Sequence, residues 1–160
     1  MKNEVYGCAK VLAHRPRWVW LEDYNCGGYA LRTFDWVGFR FPHSRDNASQ
    51  QVDAICAALP EWERCDCPQK FDTKHYDYVA FRWGERKGWN DYHFLRLWRN
   101  GTWHGKEGDG EIYRVKDVFA PWVRSDGEIY GEEIFFLRRK RKTKGVQCAL
   151  FYFRWRPPKT

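Results

Sequence analysis

The chain has 160 residues, 43% of them hydrophobic and 19% aromatic with ten Trp, which excludes disorder and fits one domain with a proper core. No run is long enough to cross a membrane and "MKNEVYGCAK" lacks the apolar centre of a secretory signal, so a cytoplasmic setting with mostly reduced thiols is expected for the six cysteines. The net charge of +7 is local: no Asp or Glu follows Glu133, while nine Lys and Arg fall between Arg138 and Lys159.

Residues 1–21 read as strand or irregular, with "RWVWL" the strongest strand candidate. Cys26, Tyr29, Ala30, Thr33, Phe34 and Val37 then recur at helical spacing, a stripe that predicts a helix from Cys26 to Val37, with Gly38 as a stop. A second helix is predicted from about Ala48 to Leu59, capped by Asp46 or Asn47 and closed by Pro60. "ERCDCPQKFDTK" reads as a loop. From Tyr76 the pattern turns to strands in "YDYVAFRW", "DYHFLRLW" and "GTWHGK", the last two joined at Asn100-Gly101 by a two-residue type I′ turn. "EIFFLRR" and "VQCALFYFRW" flank "KRKTKG" and predict a second, basic hairpin over about 133–156. Helix, helix and then antiparallel strands give an α+β fold in one domain spanning 1–160.

The stretch "NCGGYALRTF" carries the chemistry. A cysteine that opens a helix sits where free N–H groups and the positive end of the dipole favour thiolate. Two glycines behind it cost the helix roughly 1 kcal/mol each against alanine. They leave room for a substrate backbone and keep the first-turn N–H groups open to an oxyanion. A nucleophilic thiol needs a base. Among His14, His43, His75, His93 and His104, His93 is the best placed, alternating with Leu95 and Leu97 on the core side of a strand.

Together "NCGGYALRTF" and "DYHFLRL" resemble the nucleophile helix and histidine strand of the papain-like cysteine peptidase superfamily. The 67-residue separation is similar to the compact NlpC/P60-type arrangement, and "DYHFLRLWRNGTWHGKEG" resembles a motif of small bacterial and phage members. The resemblance implies a papain-like α+β fold, with an N-terminal nucleophile helix packed on an antiparallel β-sheet. It implies Cys26 and His93 as the catalytic pair and His104 as third member. With Trp20 at the usual glutamine position, Asn25 or Tyr24 and N–H groups up to Gly27 would hold the oxyanion. His104 directly follows Trp103, whereas that motif sets a residue between the two. In a two-residue turn His104 would lie opposite Leu97, on the face of His93 but roughly 13 Å along the strand. Asp91 and Asp109 therefore stay open as alternatives for orienting the imidazole.

Two further signals remain. Cys65-Asp-Cys67 has one residue between its cysteines, where zinc fingers use two, so neither metal nor cofactor is expected. Arg138, Arg139, Lys140, Arg141, Lys142 and Lys144 read as a solvated hairpin tip or as a contact for nucleic acid or an acidic protein, with Tyr152, Phe153 and Trp155 as stacking surfaces. The sequence thus points to a cysteine-dependent peptidase or amidase acting on a peptide or protein, in the manner of a phage or bacterial effector. Hydrolysis, deamidation and transamidation would use the same residues. The alternative is a non-enzymatic binding protein that works through the basic hairpin.

Overall fold

A computed structural model of the chain describes residues 4–5, 23–37, 48–86, 89–108, 110–124 and 127–142. In chain order these form β1 (Glu4–Val5), α1 (Cys26–Leu31), α2 (Ala48–Ala58), β2 (Glu63–Cys65), β3 (Tyr76–Arg86), β4 (Trp89–Leu97), β5 (Trp103–Lys106), β6 (Ile112–Val115) and β7 (Ile134–Lys140). All seven strands join one antiparallel sheet in the order β1-β6-β5-β4-β3-β7-β2. Among the described residues no helix is long and apolar enough to cross a membrane.

The expected papain-like α+β architecture is overturned by this sheet. The two helices, six and eleven residues long, are patches on an essentially all-antiparallel chain and do not make a helical layer. The reason is local. Arg32 adopts a left-handed conformation (φ 62°) directly after Leu31, and Phe34 N–H returns to the Gly28 carbonyl at 3.1 Å, closing α1 halfway along its apolar stripe. Residues 33–37 then fold back over the helix. A Cβ on Gly28 would stand 2.0 Å from the Asp35 carbonyl oxygen, so this glycine serves the return of the chain and not the approach of a substrate.

Alternation on the long strands supplies two apolar faces. Val79, Phe81, Trp83, Phe94, Phe135 and Leu137 meet α1, α2 and Trp62 on one side. On the other, Tyr78, Ala80, Leu95, Leu97, Trp103 and Phe136 meet Val118, Trp122 and Tyr130 from the segment between β6 and β7. Arg82 fastens that segment to the sheet. Its buried guanidinium donates to the carbonyls of Val118, Phe119 and Gly131 at 3.1–3.4 Å and lies 4.8 Å over the Trp122 ring. Because Arg82 is paired with His93 across β3 and β4, the fastened segment roofs the histidine.

The turn after β4 is one residue wider than the type I′ turn read from Asn100-Gly101. Trp98 N–H reaches the Thr102 carbonyl at 2.9 Å and Gly101 N–H reaches that of Trp98 at 3.0 Å, leaving three residues in the loop. His104 is therefore paired with Arg96, not Leu97. A one-residue change of register exchanges the faces of a strand. Of the expected basic hairpin, Arg138–Lys140 belong to β7, which lies inside the sheet between β3 and β2, and residues 146–155 fall outside the described residues. The same is true of "RWVWL", His14, His43, Asp109 and Lys144.

Candidate active site

β5 pairs with β4 only over Leu95–Leu97, so the Asp91–His93 end of β4 has no β5 partner. A cavity of about 330 Å³ opens there, lined by Asn25, Cys26, Trp36, Asp91, Tyr92, His93, Glu107, Gly108, Arg124 and Tyr130. Cys26 enters with the helix-bearing face of the sheet and His93 with the opposite face, so the two predicted reactive groups line one cavity at the free edge of one strand.

Asn25 caps α1 and sets the position of the thiol. Its Oδ1 accepts from Gly28 N–H at 3.0 Å and Val37 N–H at 3.3 Å. Its Nδ2 donates to the Val37 carbonyl at 2.8 Å and to the Tyr92 hydroxyl at 3.2 Å. The amide hydrogens expected to hold an oxyanion are thus engaged in joining the helix start to the returning chain. Tyr24 lies elsewhere, fully buried against Tyr29, Ile112 and Phe34, with Lys106 Nζ 4.8 Å above its ring. The N–H of Gly27 is directed at the Cys26 sulfur together with that of Phe94.

Electrostatics reverse the expectation of a ready thiolate. Burial pushes the Cys26 thiol up to about 12, and although the Phe94 and Gly27 N–H groups act the other way, Asp91 and Glu107 add to the rise. Burial pushes His93 down to about 4. Both groups are therefore neutral at pH 7. A dipole from a six-residue helix does not offset full desolvation of the sulfur.

His93 is held by a partner that sequence reasoning missed. Its Nε2 is 2.6 Å from the Tyr113 hydroxyl, with the two rings nearly parallel. The Tyr113 hydroxyl in turn bonds to the Glu107 carboxylate, and burial together with that charge pushes the phenol well above its ordinary range. With the phenol donating to Glu107, its oxygen accepts from His93 Nε2–H, and Nδ1 is then the unprotonated ring nitrogen. Tyr113 reaches the histidine by crossing Gly105, its partner in the β5–β6 ladder. A Cβ on Gly105 would meet that ring at 2.6 Å. A glycine inside the strand pattern "WHGK" is the sequence signal for such a close approach.

His104 does not join this group. It is buried on the other face, stacked on Trp98 with centroids 3.6 Å apart. Asp91 does line the cavity, where Arg124 Nη1 stands 3.5 Å from its carboxylate and Tyr130 donates to it at 3.4 Å. His75 is a surface group bonded to Asp72 at 2.8 Å. Among the described residues no three His, Cys, Asp or Glu side chains converge as a metal would require. Cys26, Cys56, Cys65 and Cys67 are free thiols.

Comparison with protein-family models, curated proteins and solved structures returns no match.

Proposed function

We propose that the chain is a cysteine-dependent acyl-transfer enzyme, a peptidase or amidase, with Cys26 as nucleophile and His93 as base. One observation carries the reading: a helix-opening thiol and an imidazole line one polar cavity. Since both are neutral, the proton moves during attack and no ion pair precedes it. The Cys26 sulfur bonds to the substrate carbonyl carbon while its proton passes to His93. The imidazolium gives that proton to the departing amine, and the C–N bond breaks to leave a thioester. Water then adds to the thioester carbonyl, His93 takes its proton, and the thiol leaves with it. The Tyr113–Glu107 pair places negative charge behind the ring at the stages where it is cationic. A cytoplasmic setting would keep the sulfur reduced.

The basic-patch alternative has less behind it. Arg138 Nε is 2.6 Å from Glu63, while Arg139 and Arg141 share Asp77 at 2.9 Å each, so these residues are built into the fold and do not form the tip of a solvated basic hairpin. The test of the enzyme reading is a panel of peptidyl acyloxymethyl ketones, with adducts mapped by mass spectrometry. Adducts are expected on Cys26, absent from Cys26→Ser and slowed at least a hundredfold in His93→Ala. Equal rates in native protein and His93→Ala, or no adduct with any panel member, overturn it.

A further inference from the structure

Asp77, 3% exposed at the head of β3, faces several guanidiniums. Arg139 Nη2 and Arg141 Nη2 lie 2.9 Å from its oxygens and Arg32 Nη1 lies at 3.9 Å. Arg96 joins them from β4. Only 6% of it is exposed, its guanidinium stands 6.0 Å over the Tyr29 ring, and its Nε and Nη1 find no hydrogen-bond partner among the described residues. Arg82, about as buried, has both terminal nitrogens answered by main-chain carbonyls and only its Nε without a partner among the described residues. Burial and the nearby Arg32 pull Arg96 down to about 10, which leaves it cationic at neutral pH.

Asp77 and Glu61, the latter 4.0 Å from Arg139 Nη1, set two carboxylates among four guanidiniums and leave two positive charges over, and a buried cation with open donors is costly unless an anion answers it. We propose that Arg32, Arg96, Arg139 and Arg141 form a binding site for a multiply charged phosphate-type anion. A single carboxylate would leave one of these charges over, whereas a phosphate group carrying at least two negative charges answers both. The planar guanidinium fork suits paired phosphate oxygens. Arg32 is the most solvent-exposed of the ion-paired three, its side chain 40% exposed against 21% for Arg139 and 17% for Arg141. Arg32 immediately follows α1 and Cys26 begins it, so the site is separate from the thiol cavity and does not depend on catalysis there.

The probe is sodium pyrophosphate, titrated calorimetrically into the full chain against sodium chloride of matched ionic strength. Native protein is expected to bind it saturably, and Arg96→Met to bind at least tenfold more weakly. Arg138→Met, altered on the other face of β7, is expected to keep native affinity. Should Arg96→Met not fold, Arg32→Met is expected to lose about tenfold. No heat beyond the chloride control, or native affinity in Arg96→Met or, in its place, Arg32→Met, overturns the site.

Discussion

Acidification to pH 4 should weaken the fold through His93 in a window where the buried carboxylate Asp77 stays silent. An imidazole in the unfolded chain takes up a proton below about pH 6.5, whereas the folded His93 refuses one until about pH 4. The unfolded state thus binds more protons between these limits. The stability from keeping His93 neutral is whole above the unfolded value and is lost as pH falls toward the folded one. The gap corresponds to about 3 kcal/mol, reached in full below pH 4, with a slope approaching 1.4 kcal/mol per pH unit in mid-window. Burial pushes Asp77 up, but the guanidiniums of Arg139 and Arg141 hold its carboxyl below the usual range. Its contribution therefore goes only at lower pH. Urea unfolding at half-unit steps from pH 7.5 to 4 reads the slope, and His93→Gln should flatten it. An equal slope in the two proteins, or a His93 ring resonance that titrates near pH 6.5 in the native state, would refute the reasoning.

Tyr113→Phe leaves the His93 Nε2–H buried without its acceptor, at about 1–3 kcal/mol; ring ¹⁵N shifts should show the Nε2–H tautomer losing its dominance, and unchanged shifts would count against the relay. Gly105→Ala keeps the hydroxyl but forces the Tyr113 ring and Leu95, 2.7 Å from the new methyl, to move. About 1–3 kcal/mol and the same change of tautomer are expected, and a loss below about 0.5 kcal/mol in urea would show that the ladder gives way freely. Gly28→Ala drives a methyl into a main-chain oxygen and should cost about 3 kcal/mol, so a native urea midpoint is the contrary result. With its thiol near 12, Cys26 is only about one part in ten thousand thiolate at pH 8. Iodoacetamide should therefore reach exposed Cys67 first, and prompt labelling of Cys26 at that pH would contradict a neutral resting pair.

Periodicity made some of this legible. The span of α2 and the existence of the central strands follow from short-range patterns, whereas Cys26 and His93 come to one cavity from opposite faces of the sheet, which no local pattern encodes. The length of α1 does not, because the apolar stripe runs on to Val37 while Arg32 has already left the helix; those later residues are apolar because they pack back on it. Asn25 looks the same in sequence whether its amide faces a substrate or the chain at Val37. Charge was misleading at Cys26: the N–H groups at a helix start are visible from the residues, but the depth of burial depends on where residues 33–37 settle. Tyr113 and Glu107 were beyond local reasoning, since they meet His93 only through the β4–β5–β6 register. Arg138, Arg139 and Arg141 form one basic run on paper, yet Glu63 and Asp77 lie far back in the chain.

The three-residue loop between β4 and β5 has a consequence for which length changes the chain tolerates. Deleting Asn100 while the turn keeps its three-residue form would slide β5 by one position past β4, so that Lys106 and His104 replaced Gly105 and Trp103 on the His93 side. Tyr113 would then meet a bulky partner where it now crosses a glycine. Surface loops usually absorb insertions and deletions readily. Here a hairpin tip bearing no cavity residue should be nearly as intolerant of them as the cavity wall itself.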